Sequence, residues 1–241
     1  MGRLCVSWFS TGVSSAVATK LAIDSIERIV YIDIDDQHED SIRFVKDCEQ
    51  WYGKEIEILK SHLCCVENAV FSAGGKGYIN GPGGASCTMK LKKRVRKGWE
   101  VQQYKNFHYI WGMDKSEQGR ADRLLETMPK HEHSFPLIEN NITKKEAHQI
   151  LKASGIKRPV MYDLGYHNNN CVGCVKGGMG YWNKIREDFP EVFKKRAEME
   201  RKVGASCING TYLDELDPER GRHEGPIVDD CGIFCELQAM E

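Results

Sequence analysis

The chain has 241 residues, of which 41% are hydrophobic, 29% charged and 9% aromatic, and a net charge of −1. That length fits one large domain, or one domain with an appendage, around a sizeable core. Near-neutrality excludes a bulk electrostatic argument for nucleic acid or a membrane surface, and leaves only local basic patches to consider. No stretch approaches a spanning apolar helix, and Met1 to Phe9 lacks the long apolar region and cleavage site of an export signal, so the expectation is a cytoplasmic protein. In a reducing compartment ten cysteines point to metal binding or catalysis before disulfides.

In chain order, residues 3–9 (RLCVSWF) read as a buried strand and Ser10 to Ser15 as a small-residue loop. Apolar residues then recur at helical spacing from Val13 to about Asp24. Residues 27–34 form a second strand, rich in β-branched side chains. The next helix carries Ile42, Val45, Cys48 and Trp51 on one face and stops near Gly53. Residues 55–59 and 107–112 supply a third and fourth strand, separated by a Gly-rich loop at 74–84. Thr143 with Glu146 forms a capping box for a helix ending near Gly155, and Pro190 to Val203 reads as one amphipathic helix.

Strands alternating with helices predict an α/β fold, a three-layer α/β/α sandwich around a mostly parallel sheet. Ligands of such sheets sit at the carboxyl ends of the strands. The loops after Phe9, Ile34 and Trp111 are therefore expected to line one site. We divide the chain into a nucleotide-binding part, 1–165, and a Cys-rich section, 166–241, packed on the same domain. The latter holds five of the ten cysteines.

Ser10-Thr11-Gly12-Val13-Ser14-Ser15 lies between the first strand and its helix. Gly12 lets the backbone approach an anion, free N–H groups and the helix dipole bind it, and the hydroxyls of Ser10, Thr11, Ser14 and Ser15 add donors. The plain alternative is a strand-to-helix turn with a serine cap. The loop lacks the Gly-Lys-Ser/Thr ending of a Walker A motif.

This loop resembles the PP-loop, S-G-G-x-D-S, of ATP pyrophosphatases and phosphoadenosine phosphosulfate (PAPS) reductases, with Thr11 in place of the second-position Gly and Ser14 in place of the Asp. Tyr31-Ile32-Asp33 followed by His38-Glu39-Asp40 is similar to the family's second motif. Gly112 to Arg120, with Glu117 and Arg120, looks like its G-x-x-x-x-E-x-x-R segment. Phe135-Pro136-Leu137 and Tyr162-Asp163-Leu164-Gly165-Tyr166, leading to Cys171-Val-Gly-Cys174, resemble its downstream region. The resemblance implies a Rossmann-like sheet of the HUP type. It also implies an adenine nucleotide (PAPS, its 3′-dephospho form, or ATP with Mg²⁺) held near Ser10–Ser15, Asp33, Lys90, Glu117 and Arg120.

Two cysteines two residues apart, as at Cys171 and Cys174, suit one metal. Cys87 opens a helix rich in Lys and Arg, where the helix terminus and the cations are expected to lower its thiol pKa. Family likeness makes Cys87, Cys171 and Cys174 candidate ligands of an iron–sulfur cluster, with Cys207 as the first choice for a fourth ligand and Cys235 as the alternative. Asp230-Cys231-Gly232-Ile233-Phe234 resembles the tail of sulfonucleotide reductases, whose Cys is the nucleophile. Structural zinc on Cys171, Cys174, Cys231 and Cys235 is the rival. Cys5 and Cys48 are expected to be core residues, and Cys64 and Cys65 structural.

The first expected function is thus thiol-dependent cleavage of a sulfonucleotide to sulfite. Cys231 is its nucleophile, and thioredoxin or glutathione the reductant. The second is an ATP-cleaving, adenylating enzyme that inserts sulfur into a nucleobase or other acceptor, with the basic run Lys90–Lys97 docking nucleic acid. The third is a nucleotide-binding zinc protein without catalysis. A homo-oligomer is compatible with all three. His131-Glu132-His133 remains a weak metal candidate, and Tyr181 and Trp182 read as core.

Overall fold

The computed structural model describes residues 3–72, 74–81, 84–103, 106–208 and 210–222. Five strands, β1 (Arg3–Phe9), β2 (Arg28–Asp33), β3 (Ile56–Lys60), β4 (Asn106–Ile110) and β5 (Glu132–Ser134), form one sheet. Their order is β3-β2-β1-β4-β5 and every pairing is parallel. The chain runs outward from β1 to β3, then returns to the other side of β1. The order therefore reverses between β1 and β4, and the crevice at that reversal is where such sheets bind ligands.

Helices cover both faces. α1 (Val13–Leu21), α2 (Asp40–Tyr52), α6 (Pro136–Glu139) and α7 (Lys144–Ala153) lie on one side, where Val17, Phe44, Cys48, Leu137 and Leu151 pack against Phe9, Ile29 and Tyr31. On the other side a π-helical segment, Thr88–Lys93, runs into α4 (Arg94–Gln103), whose Trp99 packs with Leu4, Val6, Val30 and Tyr109. Cys5 and Cys48 are buried core residues, as expected. α3 (Val66–Phe71), α8 (Val160–Asp163), α9 (Met179–Asp188) and α10 (Pro190–Val203) gather at the carboxyl end of the sheet. There Ile34, Val66, Leu91, Trp182 and Ile185 share one apolar cluster. α5 (Gln118–Thr127) connects β4 to β5. No helix of the described residues is long and apolar enough to cross a membrane.

The local signals act as read. Gly53 ends α2 in the left-handed region (φ 66°), the Thr143–Glu146 capping box opens α7, and Pro190 and Gly204 bound α10. α1 stops at Leu21, short of Asp24. The buried face of α2 is rotated from the expected stripe and consists of Ser41, Phe44, Val45, Cys48 and Tyr52, with Ile42 and Trp51 at its margin. The phase is set by Tyr52, whose hydroxyl donates to Ala16 O at 3.0 Å and draws α2 onto α1.

The phosphate-type loop after β1 and the loop after β4 meet at the reversal point. A Cβ on Gly112 would lie 2.3 Å from Ser15 Cα and 2.7 Å from Ser15 N, so only glycine lets the end of β4 pass the start of α1. Gly112→Ala must separate two backbones. It should lower stability by about 1–3 kcal/mol, seen as a reduced urea midpoint with an unchanged slope.

Candidate functional site

In the loop after β1, Thr11 and not Gly12 takes the left-handed conformation. Thr11 has φ 57° and is fully buried, whereas Gly12 is extended at φ −91°, ψ 152°. α1 has no side-chain cap, because its N-cap is Gly12, and the Ser15 hydroxyl accepts from Ser10 N at 3.1 Å. Thr11 Oγ1 donates to Ser10 O at 2.6 Å. Tyr162 Oη, from α8, accepts from Val13 N at 3.2 Å. Ser10 remains exposed and Ser14 half-buried, so their hydroxyls are accessible.

A cavity of about 1020 Å³ lies beside this loop. Cys87, Cys171 and Cys174 all line it, together with Lys92, Arg120, Lys176, Lys184 and Arg222. Glu117 is the one carboxylate among its lining residues, so the wall carries an excess of positive charge suited to an anionic ligand. Arg120 pairs with Glu117 at 2.6 Å and Lys184 with Asp188 at 2.9 Å. Glu117 also completes a capping box with Asp114 ahead of α5, which fixes the approach of Arg120. Ser10–Ser15 are not among the lining residues. They are linked to the lining segment by Asn169, which bonds to Thr11 and stands in sequence between the lining residues Asn168 and Asn170.

Two expected nucleotide residues are engaged elsewhere. Asp33 pairs with Lys60 at 3.0 Å. Lys90 donates to Ala69 O at 2.8 Å and lines a separate groove with Lys60, His62 and Arg94. It is Lys92, two positions on and on the opposite face, that lines the cysteine cavity. His131 and His133 flank Glu132 of β5. His133 Nδ1 accepts from Trp111 Nε1 at 3.0 Å, and His133 Nε2 lies 3.0 Å from Met128 O. Cys64 and Cys65 precede α3, outside the cavity lining.

α10 holds the cysteine loops in place. Arg196, 5% exposed, donates from Nε to Gly173 O at 3.1 Å and pairs with Asp36 after β2. Asp36 in turn accepts from Val66 N at 2.6 Å and, through its carbonyl, from Val172 N at 2.7 Å. Gly173 is left-handed (φ 71°), and a Cβ there would lie 2.6 Å from Val192 Cγ1 on the same helix face. Four residues beyond Arg196, the fully buried Glu200 accepts from Cys207 N and from Leu213 N at 2.7 Å. One helix thus anchors both the Cys171–Cys174 loop and the Cys207 loop. Tyr181 of α9 closes the first loop: its hydroxyl accepts from Cys174 N at 2.9 Å and donates to Cys171 O at 3.1 Å.

Cys207 is buried and is not among the residues that line the cavity. Burial pushes the Cys171 thiol up to about 12 and raises Cys87 and Cys207 as well. The expected lowering at Cys87 is therefore corrected. Lys92, Lys176 and the N–H of Thr88 do pull its pKa down, but desolvation outweighs them. Among the described residues, no three His, Cys, Asp or Glu side chains are gathered for a single metal ion. Cys231 and Cys235 lie outside the described residues.

Tyr181, Asn169, Arg196 and Glu200 escaped the sequence reading. Tyr181 stood as core beside Trp182, and only Trp182 is fully buried. The other three bond to partners far away in sequence or act through backbone atoms, and no local pattern marks them.

The family model described as phosphoadenosine phosphosulfate reductase domain matches residues 4–177. A search of curated proteins returns no match.

Replacing Arg196 with Met strands the Asp36 carboxylate. It should cost about 3–5 kcal/mol, read as a fall in the midpoint of chemical unfolding.

Proposed function

The chain belongs to the phosphoadenosine phosphosulfate reductase family, and from that premise we propose that it is a sulfonucleotide reductase with Cys231 as nucleophile. The observation that carries this reading is the end of the described chain. Arg222 lines the cysteine cavity, and Gly221 packs backbone to backbone on Gly180 of α9. Cys231 follows nine residues later in the sequence, a tether of at most roughly 30 Å. A segment of that length can span the distance to a cation-lined cavity, which supports Cys231 as the nucleophile.

The adenine nucleotide lies across the carboxyl ends of β1 and β4. Ser10, Ser14 and the first N–H groups of α1 take its phosphate, and Arg120, Lys92 and Lys176 face the sulfonate end. The Cys231 thiolate attacks the sulfonate sulfur. A sulfur–sulfur bond forms, the bond from that sulfur to the phosphate oxygen breaks, and the nucleotide leaves with the electron pair. A dithiol such as thioredoxin then attacks the Cys231 sulfur and sulfite departs. The second thiol of the reductant resolves the mixed disulfide and restores Cys231.

The residue types suit an iron–sulfur cluster: Cys87, Cys171 and Cys174 line one cavity, and α10 anchors the loop of a fourth cysteine, Cys207. Cys87, Cys171, Cys174 and Cys207 are the residues that would hold it. When bound, such a group orders the site and tunes its field. Lys92 and Lys176 stand beside these cysteines and offset the negative charge their thiolates bring.

A second reading is the ATP-cleaving sulfur-insertion enzyme. It is favoured by the exposed Lys92, Lys93, Arg94 and Lys97, on the same helical run as Cys87. The test separates the two. Incubated with adenosine 5′-phosphosulfate or its 3′-phosphorylated form and no reductant, the protein should gain the mass of one SO₃ group on the peptide containing Cys231. Cys231→Ser should gain none. Absence of the adduct together with pyrophosphate release from ATP would replace the reductase with the second reading.

A further inference from the structure

The residue in the left-handed turn of the phosphate loop is β-branched. Thr11 holds φ 57° while fully buried, a conformation that glycine takes without strain and threonine does not. The resemblance noted above places a glycine at this position. Something else must therefore hold the turn.

Asn169 supplies the hold. It is 5% exposed, and its Nδ2 donates to Thr11 O at 2.9 Å, to Thr11 Oγ1 at 3.2 Å and to Ser41 Oγ at 3.1 Å. The bond to a carbonyl fixes which end of the amide is nitrogen, since two oxygens would repel. Thr11 passes the interaction on, donating from Oγ1 to Ser10 O at 2.6 Å. From the same stretch of chain, Tyr162 reaches Val13 N at 3.2 Å. Asn169 lies two residues before Cys171. Its Oδ1 is buried and has no hydrogen-bond partner among the described residues.

We propose that Asn169 is a positioning residue that holds the left-handed turn at Thr11, and with it the N–H groups that meet the nucleotide's phosphate. Thr11 and Asn169 then form a matched pair that stands in for a lone glycine. The pair also ties the phosphate loop to the cysteine-bearing segment. This rests on the reading above only in taking the bound anion to be a nucleotide phosphate.

The test is a double-mutant cycle, read by calorimetry with adenosine 5′-phosphosulfate and with AMP. Asn169→Ala should weaken binding by about 10-fold or more in the chain as it stands, but by less than about 2-fold in a Thr11→Gly background. Equal losses in both backgrounds, or none in either, would overturn the proposal, because a general packing role does not depend on what stands at residue 11. Amide hydrogen exchange without ligand gives a second readout. Asn169→Ala should speed exchange at residues 11–15 and leave β1 protected, and Thr11→Gly should cancel that difference. Unfolding of Asn169→Ala in both backgrounds also counts against it. If the wild-type chain binds neither nucleotide, the reductase reading fails, while the exchange experiment still decides whether the clamp exists.

Discussion

Arg196 is 5% exposed and its buried charge is paired with Asp36. An unpaired guanidinium at that depth would cost several kcal/mol. The pair joins three parts of the chain: the loop after β2, which carries Asp36, α10, which carries Arg196, and the Cys171–Cys174 loop, whose Gly173 carbonyl Arg196 also holds. Asp36 extends the junction to the start of α3 through Val66 N. That pair adds directed bonds where the carboxyl end of the sheet and the cysteine section otherwise share much apolar contact. A contact of that kind permits sliding, and directed hydrogen bonds do not.

The consequences run outward from there. α10 repeats the device four residues on, where Glu200 grips the backbone of Cys207. The spacing of Val192, Arg196 and Glu200 puts all three on one helix face, and that face holds both the cavity-lining Cys171–Cys174 loop and the Cys207 loop. On the other side, Asn169 and Tyr162 carry the same segment to the phosphate loop. The loop after β1 and the Cys171–Cys174 segment are therefore parts of one hydrogen-bonded unit built at the reversal point of the sheet. The burial this requires has a chemical side effect: it raises the pKa of the Cys87 and Cys171 thiols. A group that recruits them as thiolates must supply charge to offset that cost.

The sheet and its main helices were legible in the sequence because their signals are local. Alternation, β-branched runs, the Thr143–Glu146 box and Gly53 each depend on a few neighbouring residues. β5 went unread because three residues, Glu132–Ser134, are too few to show a period, and its histidines drew attention as ligands. α9 went unread because Gly177 and Gly178 precede it and its aromatic pair looked like core. The cysteines were visible as a CxxC pattern, and Cys87, Cys171 and Cys174 line one cavity. What holds them was not visible. Asn169 and Thr11 are 158 positions apart, Asp36 and Arg196 160. The thiol pKa of Cys87 was misjudged for the same reason: the helix and its lysines are local, whereas the desolvation comes from tertiary packing.

The claim on which the account turns is that Cys87, Cys171, Cys174 and Cys207 form one ligand set. The direct measurement is iron, sulfide and zinc analysis of anaerobically purified full-length protein, with visible absorbance, beside the Cys207→Ser variant. The account predicts about four iron and four sulfide per chain with broad absorption near 400 nm, and a loss of iron in the variant. Colourless protein with one zinc that depends on Cys231 and Cys235 would contradict it, and would also remove Cys231 as the nucleophile.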